Sequence, residues 1–176
     1  MRQKTLVGLL ERVETWKEPK VHLEQYPTPP AIAAQLLVLA DHAGHLDAAL
    51  VADLGCGGGV LAIGAAALAA ETGATIVAID VDPAALEVAA RNCDALDVAD
   101  RVELLACDVI AAPAWRRGVF DCVLINPPFG TQERSPGADV AFLRAGVSAC
   151  APGGVVYSMH KTATRAFVRK TAAEIA

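Results

Sequence analysis

Asn126-Pro127-Pro128-Phe129 ends an apolar run, Val123-Leu124-Ile125, and Gly130 follows it. Proline has no amide hydrogen to give a sheet ladder, so a strand here must stop near Asn126. The Asn126 side-chain oxygen and the Pro127 carbonyl can then each accept one hydrogen of a single planar NH2 group. Holding both draws the nitrogen lone pair out of conjugation and aims it outward. That is orientation plus electrostatics, with no strong base. Phe129 adds a face on which a flat molecule can stack, worth about 1–3 kcal/mol for a nucleobase. A base held this way must be unpaired or must leave its helix. The plain structural alternative is a stiff strand-ending turn with Phe in the core, so the neighbouring residues have to decide.

Those neighbours are glycines and carboxylates. Gly55, Gly57 and Gly59 lie within Val51-Ala-Asp-Leu-Gly-Cys-Gly-Gly-Gly-Val60, between an apolar strand and a helical pattern. Glycines there let the backbone turn tightly and approach a ligand closely. Asp80 ends the next strand pattern, 21 residues after Gly59, where a carboxylate suits the hydroxyl pair of a ribose. Asp108 ends a third strand pattern and can accept from an adenine amine, while the Val109 amide can donate to the ring. A helix cap or turn is the structural alternative for Asp108. Together these residues indicate an adenosine-containing ligand. Gly57, Gly59 and Ala62 satisfy GxGxxA, the dinucleotide pattern. The wider Asp-Leu-Gly-Cys-Gly-Gly-Gly fits better the (D/E)xGxGxG loop of S-adenosylmethionine enzymes, in which Asp53 sits near the methionine end of the cofactor, directly or through water. In such a domain the fourth strand ends beside the sulfonium, where the methyl acceptor must lie. The reading is therefore methylation of an amino group on a planar system: adenine N6, guanine N2 or a protein glutamine amide. Phe at 129 in place of Tyr favours a nucleobase in RNA.

The elements that must hold these residues alternate. Leu6, Leu9, Leu10 and Val13 recur at helical spacing. The proline-punctuated stretch 17–30 cannot be regular helix. Thr28 reads as an N-cap before Pro29 and a helix through His42. Strands are expected at 50–55, 75–80, 102–108, 120–126 and 154–160. The helices between them start near Val60, at Pro83 behind an Asp82 cap, and behind an Asp139 cap, with a last one at the C-terminus. Near-continuous apolar strands between helices mean a parallel sheet covered on both faces, an α/β fold of Rossmann type. Ligands sit at the carboxyl ends of such strands.

Composition narrows the class. The 176 residues, 54% hydrophobic, suit one domain with a sizeable core. Residues 1–48 would supply helices and a cover for the cofactor, and 49–176 the α/β core. The longest apolar run, 60–70, is too short for a membrane span, and no signal-peptide core opens the chain. A cytoplasmic or nuclear protein is expected. Five cysteines without a CxxC pair or a His cluster favour small buried hydrophobes over metal ligands, so no metal site is expected. The net charge of −5, with no basic run longer than Arg116-Arg117, means that any nucleic-acid role needs a local patch or a partner's charge.

Several longer stretches carry a resemblance: 9–37, 51–66, 80–92, 107–109, 120–131, 137–145 and 156–165, with Leu23-Glu-Gln-Tyr-Pro-Thr28 the most telling. On these the chain closely resembles the methyltransferase-like enzymes that place N6-methyladenosine on small-subunit rRNA in eukaryotes. The resemblance implies a Rossmann-like class I fold and S-adenosylmethionine as cofactor. It implies that Gln25 and Thr28 fold over the methionine end of that cofactor, with further contacts at Gly55, Gly58, Val60, Asp80, Asp108 and Val109. It also implies a small zinc-binding activator subunit as partner. In the usual strand order 102–107 is an edge strand without a proline or lysine guard, which invites pairing with another chain; a loop or the N-terminal helix could cover it instead. The family continues into a final β-hairpin and a basic stretch, so a form lacking that hairpin is expected. The alternatives are protein glutamine or another nucleobase as acceptor, a cofactor-binding but inactive form, and, as an outsider, a nicotinamide-dependent oxidoreductase. Three secondary candidates stand beside these: the polar loop 130–138 as a cover for the base, His160 with Lys161 as a phosphate or base contact, and Tyr26 as core or as base neighbour.

Overall fold

A computed structural model describes residues 1–15, 19–20, 23–47, 50–128 and 137–175. Phe129 and the loop 130–136 lie outside the described residues, so the stacking role expected of Phe129 has no structural counterpart below. The elements are α1 (Gln3–Leu10), α2 (Pro30–His42), β1 (Leu50–Leu54), α3 (Val60–Leu68), β2 (Thr75–Asp80), α4 (Pro83–Ala95), β3 (Val102–Ala106), β4 (Phe120–Ile125), α5 (Ala138–Ala149), β5 (Cys150–Ser158) and α6 (Arg165–Ile175).

The five strands form one sheet in the order β3-β2-β1-β4-β5, with every pairing parallel. The order reverses between β1 and β4, and a crevice opens there at the carboxyl ends. One face of the sheet turns Val51, Ile76, Cys122 and Leu124 into a core shared with α1, α2, α3 and α4. The other turns Ala52, Leu54, Val123 and Ile125 against Phe120, Ala149 and Phe142. Both faces are dry, which is why the strands read as apolar runs without alternation. The helices approach closely where residues are small. A Cβ at Gly64 of α3 would stand 2.4 Å from Leu37 Cδ1 of α2, and one at Gly146 of α5 would stand 2.5 Å from Ile125 Cδ1.

Three boundary readings are corrected. Thr28 does not cap α2: the N-cap is Pro29, with no side-chain bond, and the Thr28 hydroxyl is used elsewhere. Asp139 lies inside the first turn of α5 behind Gly137, because its carboxylate reaches His160 Nδ1 at 3.2 Å. β5 begins at Cys150, before 154, because α5 passes straight into it and the register then shifts opposite Phe120–Cys122. The Asp82 cap is as expected, accepting from the Ala84 amide at 3.1 Å. Cys56, Cys93 and Cys122 are buried as small hydrophobes, and burial pushes the Cys93 and Cys122 thiols up to about 11 and 12. Cys107 and Cys150 are half-buried. Among the described residues no helix is long and apolar enough to cross a membrane.

Candidate active site

The glycine loop takes its shape from backbone conformations that only glycine adopts cheaply. Gly55 has φ 75° and its Cα faces the Phe142 ring, so close that a Cβ would touch Cε1 at 3.0 Å. Gly59 has φ 87° and caps α3 in the left-handed region. The loop is then pinned from below. The Gly57 amide donates to Asp80 Oδ2 at 2.8 Å, and the Asp82 amide donates to Asp80 Oδ1 at 2.9 Å. The Ala62 amide of α3 donates to Asp53 Oδ2 at 3.0 Å. Each bond joins a strand end to the loop or helix beside it, so the cradle is rigid before any ligand arrives.

Asp53 is 1% exposed, and its Oδ1 is buried with no hydrogen-bond partner among the described residues. Burial, and to a lesser degree the nearby Asp80 charge, outweigh the Ala62 hydrogen bond and push the Asp53 carboxyl up to about 7. Burial also raises Asp80 above its ordinary value, despite the hydrogen bonds it accepts. A buried carboxylate with an idle oxygen under a glycine loop suits a ligand that brings positive charge.

Over the loop lies a cover made by residues 14–15, 19–20 and 23–28, and long-range polar bonds hold it. Asn92 of α4 is buried and acts as a clamp. Its Oδ1 accepts from the Glu14 amide at 2.9 Å, and its Nδ2 donates to the Glu14 and Gly58 carbonyls, each at 2.9 Å. Lys20 Nζ donates to Asp82 Oδ1 and Gln25 Nε2 to Asp82 Oδ2, both at 2.7 Å. Burial raises the Asp82 carboxyl, but the Lys20, Gln25 and Ala84 hydrogen bonds outweigh it, and the net shift is downward.

Between cradle and cover lies a cleft of about 260 Å3. Of the residues expected from the sequence, Gln25, Thr28, Gly55, Gly57, Gly58, Val60, Asp80, Asp108, Val109, Asn126 and Pro128 line it. Asp53, Gly59 and Pro127 are buried and are not among the residues that line it. Asp108 combines both of its readings. Its Oδ1 accepts from the Ile110 and Ala111 amides at 2.9 Å in a local turn, and the residue still faces the cleft. Tyr26 is 60% exposed at the rim, so the core-packing expectation for it fails. His160 is also recast: its ring is bonded to Ser158 Oγ and Asp139, and it braces α5 against the end of β5.

Sequence reasoning missed Asn92, Phe142 and Val81. Asn92 sits mid-helix without a motif, Phe142 reads as ordinary helix core, and Val81 carried no signal beyond following Asp80.

The acceptor turn is organised by one bond. Asn126 Nδ2 donates to the Thr28 hydroxyl at 2.8 Å. This fixes which way the carboxamide faces and leaves its Oδ1 without a donor among the described residues. The hydroxyl expected to cap a helix orients the acceptor amide instead.

The profile of the family described as Methyltransferase small domain matches residues 32–169. The chain is 39% identical to rRNA N(6)-adenosine-methyltransferase METTL5 of Danio rerio, over 98% of this chain and 80% of that protein. It is 35% identical to rRNA N(6)-adenosine-methyltransferase metl-5 of Caenorhabditis elegans, over 98% of this chain and 79% of that protein. The chain belongs to the rRNA N6-adenosine-methyltransferase family. A crystal structure of a putative RNA methyltransferase from Pyrococcus horikoshii superposes with TM-score 0.83 at 35% identity, covering 98% of this chain and 82% of that one. In this methyltransferase the donor set fits S-adenosylmethionine: Asp80 for the ribose, the Gly57 and Gly58 backbone for close approach, and Val60 and Val109 for apolar contact. When bound, that cofactor supplies an electrophilic methyl group.

Proposed function

We propose that the protein methylates the N6 amine of an adenosine in small-subunit rRNA. The observation that carries this is the Thr28–Asn126 bond beside the cofactor cleft. A carboxamide whose NH2 is turned to the Thr28 hydroxyl keeps its oxygen available as an acceptor. That oxygen accepts one N–H of an exocyclic amine, and the Pro127 carbonyl accepts the other. The amine is held with its lone pair directed at the cleft, and the protein supplies position and polarity without a general base. Phe129, following on this turn, is the residue to stack the adenine. The names of the relatives supply the polymer.

β3 supports a partner reading. Among the described residues it pairs only with β2; Glu103 and Ala106 on it are exposed, and Leu104 and Leu105 are half-buried. α1 packs on α2 and α3. A small zinc-binding activator subunit adding a strand to 102–107 would satisfy its open hydrogen bonds. The reading places the protein where rRNA is made or used, in the nucleus or cytoplasm.

The test incubates the chain, with and without the activator, with labelled S-adenosylmethionine and unmodified small-subunit rRNA, then identifies the labelled nucleoside. N6-methyladenosine that disappears in Asn126→Ala is the expected result. Label on protein glutamine instead would replace RNA as the substrate, and cofactor binding without transfer to either polymer would end the catalytic reading.

A further inference from the structure

Positive charge is distributed unevenly along the chain. Residues 140–176 hold five Lys or Arg and one Glu, whereas the first 139 residues hold ten Lys or Arg against nineteen Asp or Glu. The acidic total therefore hides a basic C-terminal stretch. Its place in the fold is specific. β5 runs parallel to β4, and the Met159 amide donates to the Ile125 carbonyl at 2.9 Å, immediately before Asn126. The chain thus leaves the sheet beside the acceptor turn, makes a short 3-10 turn at Thr162–Thr164, and enters α6 at Arg165.

α6 has two unlike faces. Thr171 is buried, and Val168, Ala172 and Ile175 are half-buried on the side toward α5. Arg165, Phe167, Arg169 and Lys170 are exposed, Phe167 at 61%. Arg165, Arg169 and Lys170 make no ion pair among the described residues. The helix also opposes its own electrostatics. Its first turn has no acidic residue and begins on an arginine, where the backbone already presents positive charge. Arg165 and Arg169 are like charges one turn apart, about 6 Å along the axis, a repulsive pair in an isolated helix. A helix arranged like this is relieved by anions, and an exposed aromatic among the cations adds a stacking surface.

Taking the RNA reading above as given, we infer that α6 is the landing surface for the RNA strand flanking the target adenosine. Arg165, Arg169 and Lys170 contact its phosphates, and Phe167 stacks an unpaired base next to the one at the acceptor turn. The helix begins a few residues after the bond from Met159 to Ile125, so a strand crossing it is led to the end of β4 that carries Asn126.

The experiment titrates a fluorescein-labelled single-stranded oligoadenylate by anisotropy at several salt concentrations. It then measures KM and kcat on unmodified small-subunit rRNA. The variants are the triple Arg165→Ala, Arg169→Ala, Lys170→Ala; the charge-preserving double Arg165→Lys, Arg169→Lys, with Lys170 kept; and Phe167→Ala. Alanine is the best helix former at exposed positions, so melting temperature and cofactor affinity should show the fold intact. The triple alanine variant is expected to lose about tenfold to hundredfold in oligoadenylate affinity, and its log–log salt slope should fall by about 2, at ~0.7 per phosphate. KM should rise more than kcat falls, and the double lysine variant should retain most of the binding. Phe167→Ala should lose about tenfold with little change in salt slope. If wild-type protein methylates rRNA and the triple variant binds and turns over identically, the inference fails while the reading of the activity stands. If the variants lose self-association or activator binding with RNA affinity unchanged, the surface belongs to a protein and the inference also fails. If wild-type protein neither binds RNA nor transfers to it but labels protein glutamine, both fall together.

Discussion

The cofactor side and the acceptor side of the crevice are built on opposite plans. On the cofactor side nearly every polar group is already engaged inside the protein. Asp80 takes two backbone amides, Asp82 takes Lys20, Gln25 and Ala84, and Asn92 makes three bonds to the cover and the loop. On the acceptor side one bond, Asn126 to Thr28, orients the functional amide, and the neighbouring helix α6 turns its cations and Phe167 to solvent. The cofactor is the same small molecule in every turnover, so a preformed cradle minimises the ordering cost of binding it. A polymer must arrive, be positioned and leave, which suits the solvent-facing cations and Phe167 of α6. The lesson is that rigidity and openness are divided between the two ends of one crevice, with Thr28 in the cover touching both.

Four substitutions would break or sharpen this contrast. Asn126→Ala is expected to have the largest effect, lowering methyl transfer by about 10²–10³-fold, as removal of one preorganised polar group does elsewhere. Cofactor affinity, read by calorimetry, should stay within a few-fold, because Asn126 is not part of the cradle. Asn92→Ala attacks the other plan. It removes three hydrogen bonds of a buried side chain and leaves the Glu14 and Gly58 carbonyls without that donor, so about 2–3 kcal/mol of stability should disappear in denaturant titration and the cofactor should bind more weakly.

Asp53 makes a prediction about pH. Its folded value of about 7 stands above the 3.8 of an unfolded aspartate. A raised value means that the folded state holds its proton while the unfolded state releases it. Stability from this group is full below about pH 4 and is lost as pH rises toward 7, by something on the order of 4 kcal/mol at most. Asp53→Asn keeps an oxygen for Ala62 and never charges. The ligand-free variant should be less stable than wild type near pH 4, by the cost of the new amide hydrogens, and exceed it by on the order of 2 kcal/mol above pH 7, where relief of the buried charge outweighs that cost. A stability gap that does not change with pH would mean that the carboxyl is already ionised in the fold.

Thr28→Val is expected to be the smallest perturbation and the most diagnostic. It should lower kcat about tenfold with KM for the cofactor little changed, because the Asn126 amide is then free to turn. Thr28→Ser should restore the rate. A loss in cofactor affinity without a loss in kcat would place Thr28 with the cradle alone.

What could be read in the sequence had a local cause. Pro127 and Pro128 forbid a strand, Gly55 and Gly59 permit backbone angles others resist, and apolar runs of five or six residues mark strands covered on both faces. These signals depend on neighbours within a few positions, so the sheet, the glycine loop and the acceptor turn were legible. The boundary readings that failed, at Thr28 and Asp139, did so because short polar residues before a helix pattern look like caps whether or not something distant uses their oxygen.

The sequence by itself therefore determined the chemistry on offer: glycines and carboxylates at three strand ends, and an asparagine followed by two prolines at the fourth. Tertiary structure alone decided who holds that chemistry in place. The Thr28–Asn126 bond joins residues 98 apart, the Asn92 clamp on Glu14 spans 78, and Lys20 reaches Asp82 across 62. A hydrogen bond between distant residues leaves no periodicity in the chain. It exists only after the strand order β3-β2-β1-β4-β5 has brought the carboxyl ends together and the cover has folded across them.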